Sequence, residues 1–136
     1  MAHPRARKVC LTEEIATAIR AKESRMKNDR WVFHENTVPE EANGVTRRVL
    51  AYSDDPMVVE NTFERGAVGA LHSHPHTQIT YVVSGEFEFE IDGEKHVVRA
   101  GDTMLKRDGI IHGCVCLEPG ILLDTFTPYR EDFVQD

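Results

Sequence analysis

The stretch Glu86-Phe87-Glu88-Phe89-Glu90-Ile91 alternates charged and apolar residues without a break. Successive side chains of a β-strand point to opposite faces, so Phe87, Phe89 and Ile91 share one face and three glutamates the other. Asp92-Gly93 follows, a pair suited to the positive φ angles of a two-residue hairpin turn. The chain then enters a second strand candidate, Lys95–Ala100. On either side of this hairpin, Val45–Tyr52, Met57–Glu64, Gln78–Ser84 and Gly120–Phe126 show the same short, turn-bounded β character. Many short strands with regular turns predict an all-β sandwich or barrel.

Upstream the pattern changes. Residues 34–44 (HENTVPEEANG) are polar, contain Pro39 and Gly44, and predict a linker. Before them, Thr12 suits an N-cap, and Glu13 and Glu14 complement the dipole of a first helical turn. Ile15, Ala18, Ile19 and Met26 recur at helical spacing, which predicts a helix over 13–27. The division is therefore an N-terminal arm with one helix, residues 1–40, and a β-barrel over 41–136.

The chain has 136 residues and a net charge of −7, from 16 Lys and Arg against 23 Asp and Glu. Residues 1–30 hold eight basic and four acidic side chains, so a basic arm is attached to an acidic body. An acidic body argues against nucleic acid and against a basic membrane-surface mode, both of which need a surplus of cations. No apolar run approaches the length of a signal or membrane segment. Cys10 is isolated, and Cys114 and Cys116 are two apart on one strand, a poor geometry for a disulfide. Free thiols suit a reducing compartment, so the expected location is the cytoplasm. Small buried hydrophobes are the expectation for Cys114 and Cys116.

Three of the seven histidines fall within five residues, in Leu71-His72-Ser73-His74-Pro75-His76-Thr77-Gln78. On a strand, His72 and His74 face the same way and can reach one ion, and Gln78 has matching parity. Imidazole nitrogen suits Zn, Fe, Ni and Cu, and an amide oxygen tolerates harder ions. His76 stands either as a site residue or as an exposed ring after Pro75. His3, His34 and His96 are expected at the surface. Asp124 shares parity with Phe126 in the apolar run Leu122-Leu123-Asp124-Thr125-Phe126. If Phe126 points into the barrel, so does Asp124, and a buried carboxylate is costly unless it is paired, for instance with Arg107 or Arg130, or functional.

The spacing of these residues resembles the two cupin motifs. Gly66, His72, His74, Gln78 and Gly85 match the first, and Gly101, Arg107, Gly109, His112 and Cys116 match the second. The chain departs from the common pattern at Gln78, usually Glu, at Arg107, usually Pro, and at Cys116, usually Asn. The resemblance implies a single cupin barrel (a double-stranded β-helix or jelly roll) holding one divalent metal ion, with Ni, Zn, Mn and Fe as candidates. Three imidazoles and an amide are all neutral and leave the cation its full charge, which favours Lewis-acid chemistry over the dioxygenase chemistry of carboxylate-ligated iron.

Within the cupins the chain is similar to the small KdgF-type pectin-degradation proteins, which linearise 4,5-unsaturated uronates from pectin or alginate. The segments that carry this are 47–52 (RRVLAY), 66–76 (GAVGALHSHPH), 85–89 (GEFEF) and 128–133 (PYREDF), within about residues 44–133. The resemblance implies His72, His74, Gln78 and His112 as metal ligands, and Asp124, Phe126 and Arg130 as catalytic residues. It implies a metal-dependent isomerase in which Asp124 moves the proton, Arg130 clamps the anionic sugar and Phe126 packs its face, with Lys106 and Arg107 adding positive charge. Alternatives are another cupin enzyme, such as an iron dioxygenase or a different sugar isomerase, and a metal-stabilised small-molecule-binding module. Exposed sheet edges and the arm predict a homodimer, with the basic arm on the partner's acidic surface.

Overall fold

The computed structural model describes residues 14–15 and 30–135. Residues 14 and 15 are helical; the remainder of the helix expected over 13–27 lies outside the described residues, as do His3 and Cys10. A 3-10 turn, His34–Asn36, precedes eight strands: β1 Glu40–Ala42, β2 Val45–Tyr52, β3 Met57–Phe63, β4 Val68–His72, β5 Thr77–Ile91, β6 Glu94–Arg99, β7 Thr103–Lys106 and β8 His112–Thr127. A second 3-10 turn, Glu131–Phe133, follows β8.

β5 and β8 are long antiparallel partners that pass through both layers of the barrel. The first half of β5 lies between β7 and the second half of β8, which continues to β3, β2 and β1. The second half of β5 lies between β6 and the first half of β8, which continues to β4. The expected strands 78–84 and 86–91 are thus one strand, and 120–126 is the end of a sixteen-residue one. Register shifts between Val82 and Phe87 mark the bend. There the backbones of Gly85 and Gly120 meet so closely that a Cβ on Gly120 would stand 2.1 Å from the Ser84 carbonyl oxygen. Glycine is needed at both positions because the strands cross with no room for a side chain.

Residues 34–44 are not an unstructured linker. β1 is an exposed edge strand that pairs with β2 through its backbone. Arg48 Nη1 anchors the approach by donating to the Thr37 carbonyl at 3.1 Å and to Thr37 Oγ1 at 3.0 Å. Three charged or small residues carry no strand periodicity, so pairing rather than side-chain pattern makes β1.

The hairpin forms as expected, with Asp92 at φ 50° and Gly93 at φ 83°. Phe87 and Phe89 are buried, and Ile91 is half-buried. Phe87 and Phe89 belong to an apolar cluster with Phe63, Ala67, Val82, Val98, Cys114, Cys116 and Leu122. Burial pushes the Cys114 thiol up to about 12, so it remains protonated and packs as a hydrophobe. A second cluster, Tyr52, Met57, Val59 and Phe126, is flanked by Tyr129 and Phe133 from the segment after β8.

Candidate metal centre

His72 closes β4 opposite His112, the first residue of β8. The strand ends at His72, so His74 is placed by a turn rather than by strand parity. The His74 carbonyl accepts from the His76 backbone N–H at 2.8 Å and from that of Gly109 at 3.0 Å. This second bond ties the two glycine-bounded histidine motifs together. His72, His74 and His112 each offer one ring nitrogen, all within 4.8 Å of one another. His72 Nδ1 bonds the Ala70 carbonyl at 2.7 Å and His112 Nδ1 bonds the Ile110 carbonyl at 3.0 Å. With Nδ1 donating, Nε2 carries the lone pair, the tautomer a metal ligand needs.

The donor set fits a cation. His112 Nε2 is buried with no hydrogen-bond partner among the described residues. The Gln78 amide oxygen lies 3.1 Å from His74 Nε2, so the fourth expected ligand converges on the same point. Burial, with smaller contributions from Arg130 and the neighbouring histidines, pushes His74 down to about 4. Burial also pushes His112 down to about 4. Both rings are neutral near pH 7 and do not have to lose a proton to bind metal.

Beside this cluster, Gln78, Thr80, Lys106 and Asp124 are buried. Asp124 Oδ1 accepts from Gln78 Nε2 at 2.9 Å and from the Thr80 hydroxyl, and Oδ2 accepts from Asn61 Nδ2 at 2.7 Å. Lys106 Nζ donates to the Thr80 hydroxyl, so the buried ammonium reaches the carboxylate through Thr80. Burial lowers the Lys106 pKa, opposed by the attraction of Asp124. Asp124 faces inward with Phe126, as parity requires, and its partners are Asn61, Gln78 and Thr80 rather than an arginine. Strand pairing arranges these residues as a polar belt across the inner face of one layer. Arg47 on β2 stands opposite Asn61 on β3, Asp124 on β8 opposite Thr80 on β5, and Gln78 opposite Lys106 on β7.

Phe126 packs edge-on against His74 at 5.8 Å between centroids, and His76 lies 6.2 Å from the same ring. His76 is therefore a half-buried member of the site, with a buried Nδ1 that has no partner among the described residues. Arg130 lies 5.2 Å from the Phe126 centroid, and its Nε and Nη2 donate to Asp132 at 3.0 and 2.8 Å. Arg107 is exposed, and so are His34 and His96, which pair with Glu60 and Glu94. Asn61 and Thr80, with Arg47, are belt residues that the sequence alone does not point to. The signal for Asn61 is its parity with Met57, Val59 and Phe63, and for Thr80 its parity with Gln78 and Val82.

A cupin domain model matches residues 59–126, a span running from β3 to the end of β8. The pectin degradation protein KdgF of Dickeya dadantii (strain 3937) is 42% identical over 108 residues, covering 77% of this chain and 98% of that protein. The chain belongs to the cupins, and within them to the KdgF family. A solved KdgF from Halomonas sp. superposes with a TM-score of 0.73 at 37% identity, covering 76% of this chain and 97% of the other. An RmlC-like cupin from Shewanella frigidimarina NCIMB 400 does so with a TM-score of 0.77 at 41% identity, covering 79% and 98%. Among the described residues, no helix of this cupin is long and apolar enough to cross a membrane.

Proposed function

We propose that this cupin is a metal-dependent isomerase that opens the ring of 4,5-unsaturated uronates released from pectin or alginate. The observation that carries the proposal is Gln78, which points its amide oxygen at His74 and its amide nitrogen at Asp124. One side chain thereby joins a neutral ligand cluster to a carboxylate able to move a proton. The pectin-degradation role of the Dickeya relative supports the choice of substrate.

His72, His74, Gln78 and His112 would hold one divalent cation. When bound, it supplies positive charge and Lewis-acid polarisation to the oxygens of the sugar. Asp124 takes the proton of the anomeric hydroxyl as the bond from the anomeric carbon to the ring oxygen breaks. It then returns that proton to C4 of the enolate left on the former ring oxygen, which becomes a ketone at C5, so the net change is an isomerisation. The amides of Asn61 and Gln78 and the Thr80 hydroxyl fix the carboxylate for both steps. Phe126 covers the sugar face and excludes water, and Arg130 keeps positive charge beside it.

The test follows ultraviolet loss of the enol-ether absorbance of a 4,5-unsaturated uronate monomer. Metal-loaded wild type accelerates the loss and Asp124→Ala does not; a wild type no faster than the spontaneous reaction would overturn the proposal. A homodimer and a cytoplasmic location belong to the same proposal. Ile79, Tyr81 and Val83 on β5 and Leu105 on β7 form an exposed apolar sheet face of the kind a second copy covers, and the protein's mass in solution checks it.

A further inference from the structure

The polar belt ends at Arg47, and there its pairing fails. Lys106, Thr80, Gln78, Asn61 and Asp124 each bond another member of the belt. Arg47 stands opposite Asn61 on the same face, between the inward-facing Val45 and Val49 that join the two apolar clusters. Its Nε is buried and has no hydrogen-bond partner among the described residues. Its ionic contact is Nη2 to Glu40 Oε1 at 3.5 Å, with a Glu40 side chain that is 58% exposed on the edge strand. A buried guanidinium N–H left unpaired costs about 1–3 kcal/mol or more. Phe133 holds the group in place, with the Arg47 Cζ 3.8 Å from the ring centroid. Phe133 in turn packs against Phe126 at 5.8 Å.

The charges of the belt are two cations, Lys106 and Arg47, and one anion, Asp124. Arg130, the other arginine on Phe133, already has its fork occupied by Asp132. Arg47 is thus the guanidinium with donors to spare, two strands from Asp124 on the same inner face. A guanidinium binds a carboxylate through two parallel N–H donors.

We propose that Arg47, rather than Arg130, binds the carboxylate of the sugar acid and sets the enzyme's preference for uronates over neutral sugars; this rests on the function proposed above for the same site. Arg47 orients the ring so that its anomeric end faces Asp124 and the histidine cluster.

The experiment compares wild type, Arg47→Lys and Arg47→Gln on an unsaturated uronate and on its methyl ester. Wild type prefers the acid. Arg47→Gln raises KM for the acid at least about tenfold with a much smaller change in kcat, and loses the preference, because binding rather than proton transfer is removed. Arg47→Lys restores part of it. Calorimetric binding of saturated galacturonate provides a readout without turnover, and Arg47→Gln loses that binding. An Arg47→Gln enzyme that keeps the wild-type KM and acid preference overturns the proposal while leaving the isomerase function standing. If wild type turns over neither substrate yet binds galacturonate through Arg47, the isomerase function falls and the carboxylate site stands. Galacturonate binding unchanged in Arg47→Gln, or absent in wild type, overturns the site.

Discussion

The two halves of β5 face the same barrel interior with opposite chemistry. Before the bend the strand turns Gln78 and Thr80 inward; after it, Phe87 and Phe89. β8 mirrors this, with Cys114, Cys116 and Leu122 in the larger apolar cluster and Asp124 among the polar belt. The apolar half is specified by volume, and similar hydrophobes could substitute at modest cost. The polar half is specified group by group, because each buried donor or acceptor that loses its partner costs about 1–3 kcal/mol. Residues held group by group are those a site needs, so stability and function are separated along β5, while on β8 His112 joins the site from the apolar end.

That separation can be broken by mutation. Asp124→Asn keeps the shape of the belt and removes the proton carrier, so kcat should fall by about 10²–10⁴-fold in the absorbance assay. Its amide nitrogen meets donors where Asp124 accepted from them, which should cost about 1–3 kcal/mol in unfolding. His112→Ala should abolish stoichiometric metal in elemental analysis and activity with it, and an ion retained in both His112→Ala and His72→Ala would sink the ligand assignment. Phe87→Ala, at the other end of β5, should cost about 3–5 kcal/mol in denaturant unfolding while the folded protein still binds its ion. Loss of the ion from folded Phe87→Ala would show that the halves are coupled. Thr80→Val lies between the two classes: severing Lys106 from Asp124 should cost about 1–3 kcal/mol and also slow turnover.

Acid gives a milder probe. Burial holds His74 and His112 at about 4 in the folded chain, below the ordinary histidine value of about 6.5. The unfolded chain therefore binds more protons between these values, and stability, full above about 6.5, falls as pH drops toward 4. The urea midpoint of chelator-treated protein should be lower at pH 4.5 than at pH 7, and a flat profile would contradict the burial of these rings.

Much of the site is legible in the sequence because strands alternate. Parity alone turns Asp124 inward with Phe126, and the paired glycine-bounded motifs bring His72, His74, Gln78 and His112 together. The continuity of β5 and β8 is not legible: Gly85 separates two apparent strands and Gly120 opens another, and only the crossing of two backbones shows why glycine stands inside a strand. β4 is hidden because its end serves the histidines, and β7 because four residues hold no period. Asn61, Thr80 and Arg47 escape because a polar residue on a strand looks like an outward one until the register is known. The pairing of Arg130 with Asp132, two residues away, is equally invisible, since neighbours in sequence need not share a face.

The crossing of Gly85 and Gly120 also bears on how a mutational map of this cupin should be interpreted. No side chain fits at 120, so a saturation library would rank that position among the most intolerant in the chain, level with the histidines. It touches no substrate and carries no reactive group. Intolerance there would report a point where two strands must cross without side chains, and sorting variants by abundance before activity would keep it from being mistaken for catalysis.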